Sequence, residues 1–251
     1  MAFLALKTLF LGLIEGITEF IPVSSTAHIL LAGHILGMPA GIFLEALAIC
    51  IQSGAILAAV WYFWDVIWSN LALIPKIIVG FLPTGIAGLL LYPLIKPFLQ
   101  NHTIIALALI IGGIALILLR PVENTVDIKT VSYRQAFTIG VIQILSFIPG
   151  VSRSGATLIG GTWLGIPRAL IVPFSFLLGI PTILGASLVE IRHVTGLSHS
   201  EWLLIGLGTI MAFIVAVATI KYFIKLLTTT SLSKFGWYRI ALGILILLVL
   251  K

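Results

Sequence analysis

Two long apolar stretches, about residues 4–37 and 134–165, are each interrupted at the centre by proline, serine and charge. No other feature limits the possible folds of this chain as much. The breaks read Glu19-Phe-Ile-Pro-Val-Ser-Ser25 and Phe147-Ile-Pro-Gly-Val-Ser-Arg153-Ser154. Around them lie six apolar runs, about 42–63, 71–95, 102–119, 168–190, 202–226 and 236–250, the last one short. Each fits or nearly fits a membrane-spanning helix of about 20 residues. Half-length helices joined by a polar, proline-containing turn suggest re-entrant hairpins, since irregular backbone at membrane depth survives only where protein or water satisfies it. Two full helices with a surface loop are the plainer alternative. The expected fold is an all-α polytopic membrane protein, with about six spanning helices plus two re-entrant helical hairpins in a single integral membrane domain over 1–251.

Composition agrees with lipid as the solvent. Charged residues make up only 9% of the chain and hydrophobic residues 60%, whereas a soluble domain carries roughly 25% charged residues. A soluble chain this poor in charge would expose large apolar patches. The single cysteine, Cys50, excludes an internal disulfide and a multi-thiolate metal site. A net charge of +6 could suggest nucleic acid. The cations stand singly between apolar runs, however, as membrane-flanking residues do, so membrane lipids and not nucleic acid are the expected partners. Lys7 followed by apolar residues has the look of a signal peptide, but Glu15 and Glu19 interrupt it, and cleavage is not expected.

Counting crossings, each hairpin returns to its own side and each half adds three spans. One side then receives Lys76, Arg120, Lys129, Arg134, Arg168, Lys221, Lys225, Lys234 and Arg239, and the other Lys7, Lys96, Arg192 and Lys251. The richer side is expected to be cytoplasmic, with both termini and the mouth of the first hairpin facing outward. Only Arg153 is expected inside the membrane.

The two broken stretches resemble each other. Gly12-Leu-Ile-Glu15 aligns with Gly140-Val-Ile-Gln143, and Phe20-Ile-Pro22-Val-Ser24 with Phe147-Ile-Pro149-Gly-Val-Ser152 after small adjustments. Phe43 and Gly54-Ala55 match Phe174 and Gly185-Ala186. A hairpin plus an odd number of spans in each half makes the halves inverted, so pseudo-repeats of about 1–120 and 130–251 form an inverted-topology repeat. Such repeats with broken helices place their site near the midplane, where the two turns would meet.

Glu15 and Glu19 stand one turn apart on one helix face. Two carboxylates in lipid need a cation, protonation or water. Ser24, Ser25 and Thr26 follow Pro22, where a Ser can cap the second arm. His28 lies three residues after Ser25, a spacing that suits an activated nucleophile or proton relay, although a membrane His can equally bond a carbonyl. In the second turn, the planar fork of Arg153 suits phosphate. Ser152, Ser154, Thr157 and a helix N-terminus add donors. An ion pair between Arg153 and a glutamate is the structural alternative. Glu45 and Gln52 share a helix face, and they and Gln143 either line the cavity or bond between helices. His34, His102, His193 and His199 lie near helix ends. Two glutamates and one arginine facing a diphosphate would leave excess negative charge. A divalent cation on Glu15 and Glu19 would offset it, and carboxylates without thiols favour Mg²⁺ or Ca²⁺.

At these residues the chain resembles a known family. Glu15-Gly-Ile-Thr-Glu19-Phe-Ile-Pro-Val-Ser24-Ser25-Thr-Ala-His28 and Pro149-Gly-Val-Ser152-Arg153-Ser154-Gly-Ala-Thr157 are similar to the two signatures of the undecaprenyl-diphosphate phosphatase, or bacitracin-resistance, family. Phe43-Leu-Glu45, Ile51-Gln52-Ser-Gly54, Tyr133-Arg-Gln-Ala-Phe137 and Phe174-Ser-Phe176 extend the likeness over nearly the whole chain. Ala27 departs from the pattern, standing where Gly is common, and the loop between the second and third spans looks short.

The resemblance implies a hydrolase of the bacterial inner membrane, its site opening to the outer, periplasmic side. It would release phosphate from undecaprenyl diphosphate, recycling the lipid carrier for peptidoglycan and conferring bacitracin resistance. Ser25 would attack, or position water, with Ser24 the alternative nucleophile. Glu19 would take the proton or bind metal, Glu15 would bind metal, and His28 would assist proton transfer. Arg153 would clamp the diphosphate, with Ser152, Ser154, Thr157, Ser24 and Gln52 contributing to substrate binding. A lipid-phosphate flippase or transporter with the same anion-binding cavity is the rival, because broken inverted helices are also a transporter's architecture. The sequence leaves the oligomeric state open, a homodimer included.

Overall fold

A computed structural model describes residues 1–39, 41–99, 101–119 and 131–250. Arg120, Lys129 and Lys251, which entered the charge count, lie outside them. The described residues form eleven α-helices and no strand. The first broken stretch becomes α1 (Ala2–Thr18) and α2 (Ser25–Ile35), and the second becomes α7 (Tyr133–Gln143) and α8 (Arg153–Trp163). Between and after them run α3 (Ile42–Tyr62), a short α4 (Trp64–Ser69) that the apolar pattern did not announce, α5 (Leu73–Ile95) and α6 (His102–Leu118). The chain ends with α9 (Arg168–Glu190), α10 (His199–Thr229) and α11 (Ser233–Val249).

Four helical segments, Ile42–Tyr62, Leu73–Phe98, Arg168–His193 and His199–Thr229, are long and apolar enough to cross a membrane. The other two expected spans form helices of 17 residues each. Large apolar side chains point outward from these helices, among them Leu90 (70% exposed), Ile111 (66%) and Leu118 (75%). Water would penalise such a surface, and lipid does not. The molecule is a membrane protein.

Local chemistry explains the breaks. Ser132 and Gln135 form a reciprocal capping box that starts α7, as Ser198 and Glu201 do for α10. Ile148-Pro149-Gly150-Val151 closes a turn through Val151 N–H to Ile148 O at 3.0 Å. Gly150 has φ +93, the value expected at the third position of a type II turn with Pro at its second. Helices α2 and α8 end alike. Gly37 and Gly165 adopt positive φ, and the next residues, Met38 and Ile166, donate back to Gly33 O and Gly161 O. Both are Schellman caps.

Helix α10 packs on α1 and α3, α5 on α7 and α9, and α6 on α11. Close approaches depend on glycine. A Cβ on Gly12 would overlap Gly208 O of α10, and one on Gly140 would overlap Gly80 O of α5. The main core surrounds Phe20, Ile56, Phe174, Phe176 and Leu177, with the Phe20 and Phe176 rings 4.8 Å apart. It packs Phe20 of the first turn against α3, α9 and α10.

One expectation is overturned here. Arg239 does not flank the membrane. It is 1% exposed, well inside α11. The last apolar run, 236–250, starts three residues inside the helix, which begins at Ser233.

Candidate active site

Glu19 is the C-cap residue of α1, and Ser25 opens α2. The intervening turn folds back so that Ser25 Oγ donates to Glu19 Oε2 at 2.9 Å. The other carboxylate oxygen, Oε1, accepts from Arg153 Nη2 at 2.9 Å across the two halves of the chain. The ion pair is deeply buried, with side-chain exposures of 9% for Arg153 and 4% for Glu19. Arg153 Nη1 donates to Ser175 O of α9 at 2.8 Å, and Gly179 leaves the space its guanidinium fills. Gln52 Nε2 approaches Glu19 Oε2 at 3.4 Å, a long contact that orients more than it binds. Glu15 is buried one turn before Glu19, and its Oε1 has no hydrogen-bond partner among the described residues.

The second turn meets the first directly. Ser154 Oγ donates to Ile21 O at 3.1 Å and also bonds Ser152 Oγ at 2.9 Å. Ser152 caps α8 by accepting from Gly155 N–H at 3.1 Å. Thr157 Oγ1 lies 2.6 Å from Ser175 Oγ and donates back to the Arg153 and Ser154 carbonyls, which anchors the first turn of α8. Ser24 is buried at φ +68, the only described non-glycine residue with positive φ.

Both ring nitrogens of His28 are hydrogen-bonded to groups other than Ser25. Its Nδ1 lies 2.8 Å from Ser24 O, and its Nε2 lies 2.6 Å from the Tyr238 hydroxyl. A carbonyl can only accept, so Nδ1 carries the proton. In the neutral ring, Nε2 then accepts from Tyr238. Gln143, which the sequence alignment pairs with Glu15, donates to Thr84 Oγ1 and Thr182 Oγ1, both at 3.0 Å, and so bonds between helices. Glu45, His34, His193 and His199 are exposed, and His102 is half-buried.

Sequence reasoning missed Arg239. Its guanidinium donates to Pro22 O (3.1 Å), Gly150 O (3.1 Å), Ala108 O (3.2 Å) and Leu109 O (3.4 Å). The charge count is corrected accordingly. With Arg239 buried as well as Arg153, two glutamates and two arginines lie inside the fold, and the formal sum is zero rather than −1. The available signal was Arg239's position inside the helix that Ser233 begins.

A cavity of about 540 Å³ adjoins the cluster. Thr26, Gln52 and Pro149-Gly150-Val151 line its inner end, and the rest is mainly apolar surface of α5 and α9. The arrangement offers an anion clamp, a hydroxyl on a carboxylate, two helix N-termini and an apolar chamber.

Residues 8–245 match the family described as bacitracin resistance protein BacA. The chain is 42% identical to the undecaprenyl-diphosphatase of Aquifex aeolicus, covering 93% of this chain and 94% of that protein. It is 40% identical to the one from Persephonella marina, covering 97% and 98%. It is 41% identical to the one from Campylobacter jejuni, covering 95% and 91%. With both signatures meeting in one buried cluster and the match running almost end to end, the chain belongs to the bacitracin resistance protein BacA family.

Proposed function

We infer that this protein is an undecaprenyl-diphosphatase. It hydrolyses undecaprenyl diphosphate to undecaprenyl phosphate and inorganic phosphate, recycling the carrier for cell-wall synthesis and conferring bacitracin resistance. The observation that carries the chemistry is Ser25 Oγ hydrogen-bonded to Glu19, which is paired in turn with Arg153. An anion carrier needs a clamp but has no use for a hydroxyl held against a carboxylate. The relatives' names supply the substrate.

In the mechanism, Glu19 Oε2 takes the Ser25 proton as Oγ attacks the terminal phosphorus. Alternatively, Ser25 orients the water that attacks. The bond from phosphorus to the bridging oxygen breaks, and undecaprenyl phosphate leaves. On the serine route Glu19 passes its proton to the departing phosphate, takes one from the water that attacks the phosphoserine, and returns it to Ser25 Oγ as inorganic phosphate leaves; on the water route inorganic phosphate forms directly. Arg153 pivots from Glu19 onto the equatorial phosphoryl oxygens, where charge accumulates in the transition state. Ser152, Ser154 and the free N–H groups at the start of α8 bind the phosphates, with Ser24 and Gln52 on the opposite wall. Thr157 supports this site through the first turn of α8. His28, tied to Ser24 O, acts by holding the first turn.

Glu15 and Glu19 would hold a divalent cation. Glu15 offers a buried carboxylate oxygen without a partner, and no group of three or more His, Cys, Asp or Glu among the described residues completes an all-protein cage. That donor set suits Mg²⁺, which binds through one or two carboxylates plus substrate phosphates, better than it suits Ca²⁺. When bound, the ion would polarise the phosphoryl group.

The architecture we propose is six spans and two re-entrant hairpins in an inverted repeat. An 11-residue arm such as α2, α7 or α8 rises about 16 Å, roughly half of a ~30 Å hydrocarbon core. Features recur 128 positions apart: the close-packed Gly12 and Gly140, the cap residues Gly37 and Gly165, the contacts at Gly80 and Gly208, and the N-caps Ser24 and Ser152. The packing of α1 on α10 mirrors that of α7 on α5. The charge distribution favours a bacterial inner-membrane protein with its site opening outward. The apolar cavity would then take the first isoprene units of the tail.

The test is phosphate release from undecaprenyl diphosphate by detergent-purified protein, with Mg²⁺ and with EDTA. Release should require the metal, and Ser25→Ala and Arg153→Ala should abolish it. Near-normal turnover in both variants overturns the assignments. No release by the native protein favours a flippase or transporter.

A further inference from the structure

We propose that Arg239 is a positioning residue for phosphoryl transfer, one planar group that sets the two active-site turns at a fixed distance. The proposal rests on the reading of those turns as the diphosphate site. All four hydrogen bonds of its guanidinium go to backbone carbonyls, and among the described residues no carboxylate accepts from it. Ala108 O and Leu109 O belong to α6, and these bonds alone would join α11 to its neighbour. The two terminal nitrogens reach further, Nη1 to Pro22 O and Nη2 to Gly150 O.

Pro22 lies three residues before Ser25, and Gly150 three before Arg153. The fork is rigid, so the spacing between its nitrogens fixes the spacing of the two carbonyls. That in turn sets the attacking hydroxyl relative to the phosphate clamp. A displacement of about 1 Å between such groups can cost ~100-fold in rate.

Two further observations point the same way. Space for the group is built in, because a Cβ on Gly112 would overlap Nη2, and one on Gly155 would come within 3.3 Å of Nη1. Gly155 is in the first turn of α8, so the cation packs against the positive end of a helix dipole. That arrangement is unfavourable unless an anion comes to rest nearby. A buried arginine without a carboxylate is a costly way to join two helices. It is a reasonable way to organise an anion site from behind.

Two variants separate geometry from charge. Arg239→Lys keeps the charge and loses the fork. Gly112→Ala keeps both but pushes Nη2 off Gly150 O and Ala108 O, while replacing glycine with a better helix former. Each should lower kcat about 10- to 100-fold, with KM changed less than about threefold and the protein still folded in detergent, its melting temperature lowered by no more than a few degrees. Backbone hydrogen exchange should rise together in peptides covering 20–26 and 147–155.

Several results overturn the proposal: native kcat in either folded variant, faster exchange confined to α6 and α11, or collapse of both variants, which would make Arg239 a structural staple. If Arg239→Lys alone fails to fold, Gly112→Ala decides. Native protein assayed in parallel reports on the function itself. If it releases no phosphate, the hydrolase reading has failed, and the exchange data still read the geometry.

Discussion

Ser24 shows how local geometry carries chemical information. Its φ of +68 is disfavoured for any residue with a Cβ, typically by about 1–2 kcal/mol. His28 and Tyr238 hold it there, the ring bonding Ser24 O and the hydroxyl bonding the ring. If Ser25 is the nucleophile, Ser24→Gly relieves the strain and removes one phosphate contact, so it should raise KM several-fold while keeping kcat within about threefold and raising the melting temperature. A loss of turnover as deep as that of Ser25→Ala would transfer the attacking role to Ser24. Tyr238→Phe removes one exposed hydrogen bond, worth at most about 1 kcal/mol, and should lower the melting temperature only slightly. The pairing of Glu19 with Arg153 was legible as an option, because the two are the conspicuous opposite charges of the two breaks. The Tyr238 contact was not legible, because Tyr238 and His28 are 210 positions apart.

At the scale of elements, both hairpins depend on glycine-mediated approach to a long helix. Membrane helices gain little from burying apolar surface in apolar solvent, so close backbone packing has to supply the association. Gly140→Val forces a branched side chain against Gly80 O, and overpacking of this kind costs about 1–3 kcal/mol. The expected result is a lower yield of folded protein and a depressed melting temperature in detergent. Gly165→Val would act on a cap at positive φ instead, with nothing crowding the site, and should be milder in packing but strained in backbone. Helix boundaries were largely readable: the apolar runs at 42–63, 71–95 and 168–190 became Ile42–Tyr62, Leu73–Ile95 and Arg168–Glu190. The last run, 236–250, became Ser233–Val249; what its pattern did not show is that Arg239 within it is buried.

At the scale of the molecule, the topology we propose places both termini outside and the Arg134 and Lys234 region inside. With Cys50 replaced by serine, a cysteine at Ala2 should react with an impermeant maleimide in intact cells. A cysteine at Lys234 should react only after permeabilisation. Labelling of both from outside would overturn the inverted arrangement. The lipid environment, the helical class and the two broken stretches follow from the sequence by itself, since poverty in charge and local Pro-Gly-Ser chemistry act over a few neighbouring residues. Only the tertiary structure decided which buried charges face one another. It brought Glu19 to Arg153 and Ser154 to Ile21, and it turned Arg239 from a presumed flank into the group that bonds both turns. The physical reason is that burial and hydrogen-bond partners depend on helix packing, which joins residues more than a hundred positions apart and leaves no local trace in either segment.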